Sequence, residues 1–541
     1  MARTATSASP DPTERAPLLA SPTAPTGYST DNGCHGTDSR PRVPASPPRT
    51  VWPIATIELC ERFAFFGVVG PMQNYAQNAV DDPLRRGGLG LGQAKATMLN
   101  QSFLLWCYIT PIIGAVVADQ YLGRVKTIFM ASALYVAGLL SLCLSASSAA
   151  QNVELARLTL VTALFLIGIG AGGIKTNVSA LIAEQYTESD TIRINSSGEE
   201  EIVDRDLTLQ RIFLLFFLFI NVGSLSASVC TVIEQRYGFT LTFATSTLVF
   251  VVGFVVLLSR RSSFITSAPQ KSIILHAGHA LWLSLRRGGG LQQARPDAHP
   301  NRRLPWDDAF IDDLGQALSA CKLFLLYPFY WAACSQFATS FVSQAATMET
   351  GRLPSDALVF LDPVTTITLL PVLDRVVFPY FQRRGSPITY RHRVTAGFLL
   401  CAASMLYAAT VQTRVYAAPP CYDRPRAREC MGGAVPNQVS VYWQVPAYVL
   451  GAASAVMAAV AAIEYAYTRA PASMKSLIMA IYLSTTSLGS LLAVFVTPLT
   501  HDPLQVCMYV TLAVGPLAAS LIVWVRPQLV QDVKGDPPVQ G

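Results

Sequence analysis

The chain has 541 residues, 51% of them hydrophobic and only 14% charged, with mean hydropathy +0.37 and a formal net charge of +6. Soluble globular proteins carry roughly 25% charged residues. A deficit of this size, spread along the whole chain, excludes a large soluble enzyme and indicates a polytopic membrane protein.

Residues 1–50 are rich in Pro, Ser, Thr and Ala and contain no apolar run. They are expected to form a disordered cytosolic tail without a signal peptide. Glu14 to Leu19, ERAPLL, fits an acidic dileucine sorting pattern. From Val51 onward the character changes. A helix needs about 20 mostly apolar residues to cross the hydrocarbon core. Such runs lie near 53–79, 97–118, 126–146, 157–184, 210–232 and 239–259, then 319–343, 355–382, 394–413, 441–467, 474–498 and 504–525. The expected architecture is therefore an all-α membrane protein of twelve transmembrane helices, six (51–259) and six (319–526) around a cytosolic linker loop at 260–318, with a cytosolic tail at 527–541. None of the runs shows the apolar/polar alternation of a transmembrane barrel strand. Within the linker, 275–287 reads equally as loop or as an amphipathic interfacial helix.

Lys and Arg set the orientation. Arg124 and Lys126 follow span 2. Arg260, Arg261, Lys271, Arg286, Arg287, Arg295, Arg302 and Arg303 lie in the linker, and Arg383, Arg384, Arg391 and Arg393 follow span 8. Both termini are thus expected in the cytosol, although Arg85, Arg86, Arg424, Arg426 and Arg428 fall on the opposite side. This topology accounts for the net charge and needs no nucleic acid. On the outer side Cys421 and Cys430 flank CYDRPRAREC. In an oxidising compartment they are candidates for a disulfide.

The spans contain charges. Glu58, Glu61 and Arg62 lie in IELCERFAFFG, Lys175 in span 4, Asp374 in span 8 and Glu464 in span 10. Spacings of three and four put the first three on one helix face. A charge at the bilayer centre costs on the order of 3 kcal/mol, so such residues mark ion pathways or substrate sites. A carboxylate in low dielectric holds its proton more tightly, and a nearby Arg or Lys opposes that. A rearrangement that separates the two would link proton binding to conformation. Two other motifs carry no such weight. Gly168-Ile-Gly170-Ala-Gly172-Gly173 matches a dinucleotide fingerprint but sits inside an apolar span, where small residues let helices approach closely. The sequon Asn195-Ser-Ser197 falls on the cytosolic side. No metal-spaced cluster occurs among the six His, and no enzyme or cofactor is expected beyond the proton as coupling ion.

Glu58 to Gly67, Gly114 to Arg124, Gly172 to Ser179, Ile220 to Ser224 and Glu464 to Ser476 together resemble the proton-dependent oligopeptide transporters, a branch of the major facilitator superfamily, and the chain looks like a fungal member. Glu58 to Gly67 is similar to ExxERFxYYG of helix 1. Gly114 to Arg124, with Asp119, Gly123 and Arg124, resembles the signature after helix 2. Gly172 to Ser179 is similar to GGIKPxVS of helix 4, Ile220 to Ser224 to the helix-5 stretch, and Glu464 to Ser476 to EFSYxQAPxxMKS of helix 10. The resemblance implies the major facilitator fold and proton-coupled symport of small peptides by alternating access. It assigns proton and carboxylate handling to Glu58, Glu61, Arg62 and Lys175. It places the peptide amino terminus at Glu464 and further contacts at Phe65, Phe66, Tyr108, Asn221 and Trp331.

The departures are chemical. Phe65 and Phe66 stand where the family has tyrosines, Ser335 where it has Asp, Ser340 where some relatives have Arg, and Thr176 where Pro is usual. A donor lost to a buried peptide carbonyl costs roughly 1–3 kcal/mol. The proton machinery is complete while the peptide-reading surface is more apolar, which favours hydrophobic or modified peptides. Export or vacuolar storage of a modified peptide or secondary metabolite remains open, as does a transporter-like peptide receptor. The expected setting is a monomer in the plasma membrane or the vacuolar membrane.

Overall fold

The computed structural model describes residues 42–81, 86–188, 190–194, 200–265, 273–287, 290–298, 304–351, 355, 357–384, 388–425, 427, 429–431, 435–469, 471 and 474–529. The dileucine pattern and the sequon lie outside them, as do the side chains of Asp374 and Glu464.

The first half of the chain runs through α1 (Val51–Gln77), α2 (Gln93–Val117, continued by a π-helical turn, Ala118–Leu122), α3 (Arg124–Ser148) and α4 (Val153–Glu184). It continues with α5 (Arg205–Ser224), α6 (Ser226–Tyr237) and α7 (Phe239–Ser259). Gly123, at φ +76°, makes the sharp turn from α2 into α3. Asn152 caps α4 by accepting the Leu155 N–H at 3.0 Å. In the linker stand α8 (Ile273–Arg287) and α9 (Asp308–Ala320). The second half has α10 (Tyr327–Cys334), α11 (Ser340–Ala345), α12 (Leu361–Val372), α13 (Phe378–Arg383), α14 (Tyr390–Ala417), α15 (Val445–Arg469), α16 (Lys475–Val496) and α17 (Gln505–Val525).

Every expected span meets helix. Ten described spans are long and apolar enough to cross a membrane. The expected first span, α1, carries three charges, and α12 alone has 12 residues. Several features depart from the sequence expectation. Span 5 breaks at Leu225 into α5 and α6, and span 7 is interrupted by 3-10 turns at Cys321–Leu326 and Ser335–Ala338. The linker is not simply loop: α8 buries Ala277, Ala280 and Leu283 at helical spacing, and Asp307 caps α9 by accepting the Phe310 N–H at 2.9 Å. Short strands also appear. β1 (Arg42–Val43), β2 (Thr191–Ile194) and β3 (Glu200–Val203) form a sheet in the order β1-β3-β2, and β4 (Met348–Glu349) pairs with β5 (Asn437–Ser440). Residues 42–43 therefore belong to the folded body rather than to the tail, because β1 pairs parallel with Ile202 and Val203.

Buried apolar residues gather in two separate clusters. One runs from Val51 to Phe264 and is built around Tyr135, Phe243 and Phe250; the other runs from Ala277 to Val523 around Tyr327, Phe398 and Tyr448. The two halves meet through α2 against α16 and α1 against α11. At the ends of α1 and α11 remote from the N-terminal tail the contact is polar and uncharged. Gln73 Nε2 lies 3.3 Å from Ser343 Oγ and 3.1 Å from Thr97 Oγ1, Ser343 donates to Gln77 Oε1 at 2.7 Å, and Asn100 Nδ2 donates to Gln73 Oε1 at 2.6 Å. Nearby, Gln505 Nε2 donates to Gln93 Oε1 at 3.0 Å and Asn74 Nδ2 to Ser355 Oγ at 3.2 Å. All but the last of these pairs are fully buried, so breaking one strands its partners at about 1–3 kcal/mol each. Gln73→Leu is expected to loosen this end. Amide hydrogen exchange in Ser340–Ala345 should quicken by at least about tenfold, the equivalent of roughly 1.4 kcal/mol; an unchanged rate would show that the network does not hold the halves together.

Candidate functional site

The site grows out of α1. Glu58, Glu61 and Arg62 are 3%, 0% and 8% exposed. Arg62 Nε lies 3.1 Å from Glu58 Oε1, and its Nη2 pairs with the Glu61 carboxylate. One guanidinium is thus shared by two carboxylates, and with all three ionised the trio carries a net charge of −1. Burial makes this arrangement sensitive: a buried ion pair that loses one partner costs about 3–5 kcal/mol, because the other charge is left stranded. Gly223 of α5 brings that helix against the trio. A Cβ there would meet Arg62 Cβ at 2.7 Å and the Leu59 carbonyl at 2.6 Å, so a larger residue would push α5 and half-buried Asn221 away from α1.

Lys175 enters from α4. Its Nζ lies 4.2 Å from the Phe65 ring centroid and 4.8 Å from that of Tyr108. Such cation–π contacts are worth about 0.5–2 kcal/mol. Among the described residues no carboxylate pairs with it, although Glu58 is within its electrostatic reach. The close seating of α4 on α2 fixes this placement. A Cβ on Gly172 would meet the Thr110 carbonyl carbon at 2.5 Å, and Thr110 Oγ1 donates to the Gly168 carbonyl at 2.7 Å. The glycine-rich run is therefore a helix-packing surface, as its apolar setting indicates. Phe65 is buried, with Phe66 perpendicular to it at 5.5 Å and Phe103 stacked at 6.2 Å. These rings form an apolar wall where hydroxyls are absent.

The second half contributes Trp331 of α10, half-buried beside Tyr330 (5.0 Å) and Tyr482 (6.3 Å). Tyr482, on α16, is itself buried and its hydroxyl donates to the Ala459 carbonyl at 3.3 Å. Gln101 Nε2 donates to Ser335 Oγ at 3.0 Å, so the position where the family carries Asp makes a neutral contact between halves. Glu464 stands in α15, which is as far as its described backbone takes it. The Asp119–Arg124 stretch lies apart from the cluster: Arg124 pairs with Glu184 at the far end of α4 and ties the α2–α3 turn to it. Cys421 and Cys430 are disulfide-bonded. Among the described residues no group of His, Cys, Asp and Glu is placed to hold a metal.

A family model described as "POT family" matches residues 125–513. The chain belongs to the POT family. It is 40% identical to "Peptide transporter PTR_C" of Candidozyma auris over 89% of this chain and 84% of that one. It is 36% identical to "Peptide transporter PTR2" of Saccharomyces cerevisiae, over 88% and 78%. "Peptide transporter imqJ" of Aspergillus flavus is 53% identical over 56% of this chain and 60% of its own length. The fold is similar to the crystal structure of the POT family transporter PepTSo, with TM-score 0.72 at 22% identity, covering 90% of this chain and 100% of that one. The major facilitator fold follows from this likeness.

The sequence had singled out Glu58, Glu61, Arg62 and Lys175, which the POT chain brings close together, and the rings of Phe65 and Tyr108 beside Lys175. It missed two tyrosines. Tyr482 packs against Trp331, and Tyr135 of α3 is fully buried, stacked on Phe250, with no hydrogen-bond partner for its hydroxyl among the described residues. A tyrosine within an otherwise apolar span is the only signal either one offered.

Proposed function

We propose that this POT-family chain is a proton-coupled symporter of small peptides, with hydrophobic side chains preferred, working by alternating access. The observation that carries the reading is the unequal pairing of two cations. Arg62 is held by Glu58 and Glu61, whereas Lys175 faces the rings of Phe65 and Tyr108 and pairs with no carboxylate among the described residues. Lys175 is then the group open to a peptide carboxylate, and Glu464 is the counterpart for the amino end. Protonation of Glu61 or Glu58 would release part of the Arg62 guanidinium to the same carboxylate. Proton and peptide would so favour each other's binding, the reciprocity that coupling requires.

Phe65, Phe66 and Phe103 give side chains an apolar surface, and burial of apolar area contributes about 25 cal/mol per Å². The proton is the only coupling ion, no cofactor takes part, and the monomer is the working unit. The excess of Arg in the linker and after span 8 supports cytosolic termini. The uncharged contact at Gln73 and Ser343 then closes the outer side. The plasma membrane is the proposed location, and the relatives' names, peptide transporters of fungi, support the cargo class.

The test is uptake of a labelled hydrophobic dipeptide into liposomes holding the purified protein under an inward proton gradient. The reading predicts accumulation that a protonophore abolishes. Accumulation insensitive to the protonophore, or none with any di- or tripeptide, would contradict it.

A further inference from the structure

The helix α8 carries apolar residues on two opposite faces. One face is occupied: Ala277, Ala280 and Leu283 are buried in the core of the second half, together with Trp306, whose indole N–H donates to the Ala294 carbonyl at 2.9 Å. The helix also packs against α16. The other face is exposed. Leu275, Trp282 and Leu285 are 41%, 52% and 81% exposed, and their spacings of seven and three place them on one side of a helix. The Arg286 guanidinium stands over the Trp282 ring at 5.2 Å from its centroid. Bulky apolar side chains with a tryptophan and a cation at their edge are the composition of a helix lying in a membrane interface.

The location fits. The α16 helix begins at Lys475, α14 at Tyr390, and α17 ends at Val525, so these three termini lie at one end of the second half. The same pairing recurs there: Arg391 stands 4.7 Å over the Trp524 ring, itself 51% exposed, and Arg384 stands 4.6 Å over Tyr380. A belt of aromatic and cationic side chains at one level marks the boundary between hydrocarbon and water.

We propose that α8 lies in the membrane interface at this end of the molecule, with Leu275, Trp282 and Leu285 among the lipids and Arg286 on anionic phospholipid headgroups. That this is the cytosolic leaflet rests on the orientation proposed above. Since the opposite face of α8 is packed into the second half, movement of that half carries α8 through the leaflet, and anionic lipid then bears on the transport cycle.

The photoreactive residue p-benzoylphenylalanine placed at Trp282 in the full-length chain tests this, in vesicles of phosphatidylcholine with and without phosphatidylserine. After illumination, adducts are identified by mass. The expected result is phospholipid adducts, with phosphatidylserine exceeding its share of the bilayer by about threefold, and with Arg286→Gln removing that excess. Adducts to residues 1–41, to another protein, or to nothing would overturn the proposal. Adducts in proportion to lipid content would overturn the headgroup assignment. Peptide uptake in the same vesicles shows that the protein is folded and reports on the transport reading separately.

Discussion

Glu61→Gln is expected to abolish gradient-driven uptake while sparing peptide exchange. Gln keeps the shape of Glu61 and still accepts from Arg62, whose guanidinium the wild-type carboxylate pairs with in full burial. It cannot take up or release a proton, and it changes the trio's charge from −1 to 0. The initial rate of gradient-driven uptake should fall by at least about tenfold, a loss of roughly 1.4 kcal/mol of coupling. Counterflow, which needs binding and alternation without net proton movement, should stay within about twofold. Retained gradient-driven uptake in Glu61→Gln would remove Glu61 from the proton pathway. Loss of counterflow as well would mean that the carboxylate serves the fold, as one of the two that hold the buried Arg62.

The second large effect is expected at Lys175. If its ammonium, which faces the rings of Phe65 and Tyr108 and no carboxylate among the described residues, receives the peptide carboxylate, then Lys175→Gln removes a charge-assisted contact. Hydrogen bonds to charged groups contribute about 1.5–3 kcal/mol, so affinity for a free-acid dipeptide should weaken by roughly 10- to 150-fold. The same dipeptide with an amidated C-terminus lacks the anion. Its weaker affinity should be equal in wild type and Lys175→Gln. Binding by the purified protein in detergent measures both. A variant that weakens the two ligands alike would place Lys175 in the structure of the cavity and not at the carboxylate.

Much of the fold could be read from hydropathy because the bilayer makes span length a physical constraint. The run expected at 239–259 coincides with α7, Phe239–Ser259, and that at 504–525 with α17, Gln505–Val525. Hydropathy does not show the break at Leu225: no proline marks it, and Gly223, Ser224 and Ser226 beside it are the hint of weakened helix. The pairing of β1 with β3 joins segments some 160 residues apart, which short mixed sequences do not announce. In the site, Glu58, Glu61 and Arg62 were legible because helical spacing of three and four residues puts them on one face. That Arg62 serves both carboxylates while Lys175 serves neither depends on how α4 seats on α2, through Gly172 and Thr110. Side-chain direction across that contact is a tertiary property. For the same reason nothing in the sequence showed that Tyr482 would pack beside Trp331 or that Tyr135 would be fully buried against Phe250.

The central claim is that one turn of the cycle moves a peptide and a proton together. It is tested most directly in liposomes loaded with a pH-sensitive dye, with equal pH on both sides and a hydrophobic dipeptide added outside. The account predicts that the lumen acidifies as the peptide enters, and that Glu61→Gln leaves the dye silent. Peptide entry through the wild-type protein with no change in lumenal pH would contradict it.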